Sequence, residues 1–443
     1  MQDLLGMGIG ALRREVERGN ASREDAARAA LDRIAELSGL NAFVEVRAEA
    51  VGEAAGADGP LAGVPLAVKD VFVDRDRVPT CGSGAHGTWL SGTATVVQRL
   101  RDAGAVVVGY TNLHEWAVGM TSAVTRTGPV LNPWDPGLVP GGSSGGSAAA
   151  LAAGIVPAAV GTDAGGSIRC PSACCGLTGL KPSAGRVPMA GFVGDDGSID
   201  GVGPMARSVE DVATLFSVMA GEEVVLGDAR PLRLGVARAF FFDDLDPGVG
   251  AAVEAAVATL AGLVAEVRDV ELPSAPRASF GVPALLLPLL SERLADAVER
   301  DPAAFQPPTL SLLELGRAMT EGDVEEARSL QRTVVADWER VFEEVDVVVT
   351  PTLPGPPAPQ DTLVLDLPSG PTSPELAYLR TNAPMNLGGV AGLSLPCGEI
   401  GPAGRLTTSV TLTAARGRDE VALTLGRAFE RATGEAYAGR IAG

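Results

Sequence analysis

The spacing of apolar and polar positions divides the chain into alternating helices and strands. Residues 3–18 and 22–37 carry apolar positions at helical spacing. In the second stretch Ala27, Ala30, Leu31 and Ile34 share one face, and Ser22 followed by Asp25 supplies an N-terminal cap. The pair is expected to pack as a hairpin over a sheet. Val64, Leu66 and Val68 alternate, which predicts a strand over 64–68 that delivers Lys69 at its end. A helix over about 93–103, closed by Gly104, leads into the strand AVVVGY and the loop NLHEWAVGMTS. SAAALAAG then reads as a short helix and IVPAAVGT as a buried strand. Beyond Pro231, RLGVA and LVAEVRDVEL read as strands with the helix DPGVGAAVEAAVATLAGLV between them. PALLLPLLSERLADAVER is apolar and then amphipathic, the pattern of a core helix or an apolar pocket wall. VDVVVTP is a buried strand stopped by a Pro-rich turn, and the last elements are a strand, TTSVTLTAA, and an amphipathic helix.

Alternation of this kind predicts an α/β fold, a largely parallel or mixed sheet with helices on both faces. No repeat and no charged or Pro/Ser-rich linker divides the 443 residues, so one large domain over 1–443 is expected. Apolar residues make up 46% of the chain and aromatics only 4%, so the core is built from Ala, Val and Leu. The net charge of −20 disfavours direct binding to nucleic acid or to anionic membrane surfaces. No run of about 18 uncharged apolar residues predicts a membrane span. The N-terminal stretch lacks the basic and apolar regions of a signal peptide, and five cysteines, an odd number, argue for reduced thiols. A cytoplasmic protein is expected.

Chemistry concentrates between Gly141 and Arg169, where GGSSGGS and TDAGGSIR flank the short helix and strand. Glycines 141, 142, 145, 146, 165 and 166 permit positive φ and close backbone approach, so the two serine turns can fold against each other. A flexible linker has similar composition, but apolar sequence follows at once. Gly141–Gly145 also matches G-x-S-x-G, yet both histidines, His86 and His114, precede Ser143, which excludes the α/β-hydrolase order of triad residues. Other histidine orders stay open, and Lys69 is the alternative base. No metal is expected: Cys170, Cys174 and Cys175 match no zinc spacing, and His114-Glu115 lacks the second histidine of H-E-x-x-H. No lysine of a phosphate-binding loop follows the glycines.

With Lys69, GGSSGGS and GTDAGGSIR in this order, the chain resembles the amidase signature family. CGLTGLKPSAGRVP and GPMARSVEDVA extend the resemblance over about 60–215, and NLGGVAGLSLPCG carries it into the C-terminal part. The resemblance implies a mixed, many-stranded twisted sheet between helical layers. It implies a Ser-Ser-Lys triad of Lys69, Ser143 and Ser167, with Ser167 the nucleophile, Ser143 the proton shuttle on an unusual cis peptide bond, and Lys69 the neutral base. The main-chain N–H groups of Ala164, Gly165, Gly166 and Ser167 are the expected oxyanion hole, consecutive small residues letting several donors converge. Gly119 and Met120 are expected to line the acyl pocket, Asp163 and Arg169 to brace the nucleophile loop, and a variable region over about 231–340 to set specificity. The implied activity is hydrolysis of a small carboxamide, without cofactor or metal. The alternative is the glutamine-hydrolysing A subunit of a tRNA-dependent amidotransferase, and the chain's ending soon after its last helix is read as favouring stand-alone work. A non-catalytic relative is disfavoured by the intact triad, and a homodimer is left open. Thr95 and Trp116 stand where many relatives carry Asp and Phe, which leaves the substrate unassigned.

Overall fold

The computed structural model describes residues 4–75, 77–85, 90–194, 197–401, 406–434 and 440–442. Among the described residues thirteen strands alternate with helices: β1 (Phe43–Val46), β2 (Pro65–Lys69), β3 (Val106–Thr111), β4 (Ala158–Asp163), β5 (Thr178–Lys181), β6 (Gly201–Ala206), β7 (Arg233–Val236), β8 (Glu266–Asp269), β9 (Val347–Pro351), β10 (Leu365–Leu367), β11 (Gly370–Thr372), β12 (Ala391–Ile400) and β13 (Leu406–Ala414). Eleven of them form one mixed sheet in the order β1-β3-β2-β4-β6-β5-β12-β13-β9-β7-β8, and β10 with β11 forms a separate hairpin.

The sheet has two parallel blocks with an antiparallel middle. β2 runs parallel to β3 and β4, and β7 runs parallel to β8 and β9. Between the blocks, β6, β5, β12 and β13 pair antiparallel. The fold is the α/β arrangement expected, with the sheet mixed rather than all parallel.

Why the first block reads as continuous apolar runs is plain from its packing. Leu66, Val68, Val107 and Val160 join the core on one face, with Val97 and Leu100 of the helix Thr95–Asp102 and Val212 and Phe216 of the helix Val209–Ala220. Ala67, Val106, Val108 and Ala159 join the core on the other, with the helices Arg23–Glu36 and Gly145–Ala152. A strand covered on both faces has no polar side, so alternation of residue type gives way to uniform burial.

The N-terminal helices span Ile9–Glu17 and Arg23–Glu36, and Ser22 and Asp25 form the reciprocal cap expected. Residue 3, where the sequence pattern places the start of the first helix, lies outside the described residues. The stretch from Pro231 yields β7, the helix Pro247–Ala261 and β8, then the helix Ala278–Arg293. Among the described residues no helix is long and apolar enough to cross a membrane.

Candidate active site

β2 ends at Lys69, flanked by the parallel strands β3 and β4, so the lysine emerges where the carboxyl ends of three parallel strands meet. In open α/β sheets that edge is where ligands bind. Its side chain is fully buried. Lys69 Nζ donates to Ser143 Oγ at 2.7 Å and to Thr162 Oγ1 at 2.8 Å. Burial holds the lysine down to about 7, against the opposing pull of the Asp200 and Asp163 carboxylates. Such an amine is largely neutral just above neutrality and can take a proton.

Ser143 follows a cis peptide bond, Gly142–Ser143, as the resemblance implies. It stands two residues before the helix Gly145–Ala152, every residue of which is buried. Its carbonyl accepts from His114 N at 3.1 Å and from Ser122 Oγ at 3.4 Å. The neighbouring Ser144 ties the two serine loops together. Its hydroxyl donates to Thr162 O at 3.2 Å, and its main-chain N–H donates to Ser167 O at 3.3 Å.

The loop after β4 is wrapped around a buried carboxylate. Asp163 Oδ1 accepts from Gly166 N at 2.8 Å, and Oδ2 accepts from Ile168 N at 3.1 Å and Arg169 N at 3.3 Å. The Arg169 guanidinium closes on the same group, Nε to Oδ2 at 3.0 Å and Nη2 to Oδ1 at 2.9 Å. Burial alone would raise the Asp163 carboxyl, but Arg169, Lys181 and Asn386 outweigh it and hold the group below the usual carboxylate range. Asn386 completes the cage: its Nδ2 donates to Asp163 O and Oδ1, both at 2.9 Å, and its Oδ1 accepts from Arg169 Nη2 at 2.6 Å. The loop is braced as expected from Asp163 and Arg169. One donor of the predicted oxyanion hole is however turned away, because the Gly166 N–H is taken up by Asp163. Ala164, Gly165 and Ser167 are the remaining candidates.

Of the six glycines noted for positive φ, only Gly141 (φ +76°) and Gly166 (φ +125°) adopt it. A Cβ on Gly166 would stand 2.7 Å from Asn382 Cβ and 2.9 Å from Met120 Cε, so Met120 lies over the Ser167 loop. The Met120 N–H donates to Glu375 Oε2 at 2.5 Å, and Thr121 Oγ1 donates to Glu375 Oε1 at 3.1 Å. Gly119 packs against the His114 ring, which a Cβ would overlap. His114 is pushed down to about 3 by burial and by Lys69, and its Nδ1 accepts from Ser122 N at 3.3 Å. A neutral imidazole engaged in loop hydrogen bonds suits bracing better than proton transfer. His86 lies outside the described residues.

A cleft opens beside Ala164, with Trp116, Phe192, Leu286, Leu289 and Leu290 in its walls and Asp200 among its lining. Trp116 stacks on Phe305 with ring centroids 6.3 Å apart. Among the described residues no group of three or more His, Cys, Asp or Glu side chains is placed to hold a metal ion. All five cysteines are free and buried; Cys170 Sγ donates to Met120 O at 3.5 Å and Cys175 Sγ to Pro140 O at 3.4 Å.

Comparison with known proteins agrees with this architecture. A family model described as Amidase matches residues 25–423. The A subunit of the glutamyl-tRNA(Gln) amidotransferase of Chromohalobacter salexigens is 38% identical over 438 residues, covering 86% of this chain and 88% of that protein. A crystal structure of an amidase superposes with a TM-score of 0.91 at 33% identity, covering 96% of this chain and 99% of that one. The crystal structure of the corresponding A subunit from Thermotoga maritima superposes with a TM-score of 0.80 at 26% identity, covering 97% of this chain and 96% of that one. The chain therefore belongs to the amidase family, hydrolases of the carbon–nitrogen bond of amides.

Proposed function

We propose that the chain hydrolyses a carboxamide through an acyl-enzyme on Ser167, with Ser143 and Lys69 as the proton relay. The observation that carries this reading is the 2.7 Å contact between Lys69 Nζ and Ser143 Oγ in a fully buried setting that holds the lysine at about 7. Neutral Lys69 takes the Ser143 hydroxyl proton as Ser143 takes that of Ser167, and Ser167 Oγ attacks the amide carbonyl. The oxyanion rests on the N–H groups of Ala164, Gly165 and Ser167. The protonated lysine returns its proton through Ser143 to the departing nitrogen, and water then cleaves the ester by the same relay in reverse. No step calls on a metal or cofactor. In this reading residues 60–215 hold the catalytic machinery and residues 231–340 shape the substrate surface.

The test is ammonia release from primary amides by the wild-type protein beside Ser167→Ala and Lys69→Ala, with fluorophosphonate labelling of Ser167. Release that both substitutions abolish supports the relay. Silence on every amide together with an unlabelled Ser167 refutes it.

The second reading is a glutamine-hydrolysing subunit that hands ammonia to a partner, and the amidotransferase relatives favour it. The Chromohalobacter protein bears that name at 38% identity. Glutaminase activity that appears only with a copurifying partner would establish this reading over stand-alone hydrolysis.

A further inference from the structure

We infer that Glu375 is a positioning residue for Ser143 and Ser167: from the helix Pro374–Leu387 it clamps residues 119–122, the segment against which both serine loops are packed. The inference rests on the serine hydrolysis proposed above and concerns what holds its two hydroxyls in place.

Residues 119–122 meet both loops at their glycines. A Cβ on Gly142, the residue before Ser143, would stand 2.7 Å from Thr121 N and 2.8 Å from both Met120 C and Ser122 N. A Cβ on Gly166, the residue before Ser167, would stand 2.9 Å from Met120 Cε. At neither place is there room for a side chain, so a shift of the segment is passed on to the loops. Ser122 adds two bonds on the Ser143 side. Its hydroxyl donates to Ser143 O at 3.4 Å and accepts from Gly145 N at 3.2 Å.

The segment is held from outside. It belongs to no helix or strand, and Trp116, Ala117 and Ser122 in and before it have φ of +53°, +60° and +56°. Residues with a side chain keep such a backbone only where their surroundings fix it. Glu375, in the first turn of its helix, accepts from Met120 N on Oε2 at 2.5 Å and from Thr121 Oγ1 on Oε1 at 3.1 Å. The Met120 carbonyl is taken by Cys170 Sγ at 3.5 Å, and Ser122 N by His114 Nδ1 at 3.3 Å. The titratable groups that face the Glu375 carboxylate are the His114 ring, with Nδ1 3.9 Å from Oε1, the Cys170 thiol and the Tyr378 hydroxyl. None of these is a cation, so the carboxylate supplies hydrogen bonds to the segment rather than an ion pair. Its side chain is 39% exposed, so it can be exchanged without opening a cavity in the core.

The experiment compares the full chain with Glu375→Met, Glu375→Gln and Thr121→Val. It reads kcat and KM on the amide turned over best, and the second-order rate at which a fluorophosphonate labels Ser167. Glu375→Met removes both acceptor oxygens and should lower kcat and the labelling rate together, about 10- to 100-fold, with KM changed less than about threefold. Glutamine at this position can accept from Met120 N and donate to Thr121 Oγ1, so Glu375→Gln should return both rates to within about threefold of wild type. Thr121→Val removes one of the two contacts and should lower both rates about threefold or more. Added to Glu375→Met it should cost little further, because both changes break the same contact.

A Glu375→Met protein with raised KM and unchanged labelling overturns the inference, since the segment would then only line the space of the substrate. The rise of kcat/KM with pH should persist in Glu375→Gln; its loss would make Glu375 a proton-transfer group and overturn the inference as well. Should Glu375→Met fail to fold, Thr121→Val decides, and both rates unchanged refutes the clamp. No hydrolysis and no labelling by the wild-type protein removes the underlying reading, and this inference with it.

Discussion

Thr162 Oγ1 lies 2.8 Å from Lys69 Nζ, so the lysine is held by two hydroxyls, of which Ser143 is the other. Thr162 takes part in no covalent step of the proposed relay, yet it decides where the lysine nitrogen sits. Thr162→Val keeps the shape and removes the hydroxyl. It is expected to lower kcat about 10- to 100-fold with KM little changed, the range over which a misplaced proton-transfer group acts. Steady-state kinetics on one amide, with Thr162→Ser as the rescuing control, provide the check.

Activity should follow the protonation of Lys69. In the proposed relay the neutral form is the base, and the group is held at about 7, so kcat/KM should rise through that pH and level off above it. A profile that falls across the same range would contradict the assignment.

The same shift carries a stability cost. In the unfolded chain the lysine titrates at its ordinary 10.5, so between 10.5 and about 7 the unfolded state holds more of the proton. Folding stability therefore rises with pH across that window, and the penalty is complete below about 7. Lys69→Met should abolish activity and stabilise the protein at neutral pH by roughly 1–3 kcal/mol. Urea unfolding of both proteins at about pH 6 and about pH 9 measures it, the gain being larger at the lower pH.

Asp163 and Arg169 are both fully buried and 2.9 Å apart. Removing one partner strands the other's charge in the core, so Arg169→Met should destabilise the fold by roughly 3–5 kcal/mol. The double change Asp163→Asn with Arg169→Met should cost less than the sum of the two single ones. Chemical denaturation of the four proteins reads the coupling.

Gly166 combines a φ of +125° with neighbours that a side chain would strike. Gly166→Val is expected to reduce kcat/KM on the order of a thousandfold or more, by displacing the donors beside it. The far-UV circular dichroism should stay that of the wild type, since the loop belongs to no strand or helix.

The lysine is legible in the sequence because a strand with alternating apolar residues ends on it, and the serine turns are legible because glycine clusters are rare inside apolar sequence. Thr162 is invisible by the same logic, since threonine in a strand reads as an ordinary β-former. Glu375 and Asn382 leave no local signal at all: the contact of Glu375 with Met120 spans 255 residues. The apolar run Pro283–Arg300 reads as a helix or a pocket wall, but which of its leucines face the cleft does not show, because apolar residues surround the helix axis. β5, β6 and β12 read as motifs rather than strands, since glycine and proline within them mask the apolar pattern.

Asn386 meets Arg169 across 217 residues of chain, and the cage around Asp163 is incomplete without it. During synthesis the Ser167 loop emerges from the ribosome long before the helix Pro374–Leu387 that locks it. A nascent chain halted between the two therefore carries Ser167 on a loop that lacks the Asn386 part of its brace. The order of synthesis therefore makes the cage around Asp163 the last part of this loop's support to close, when the helix Pro374–Leu387 docks.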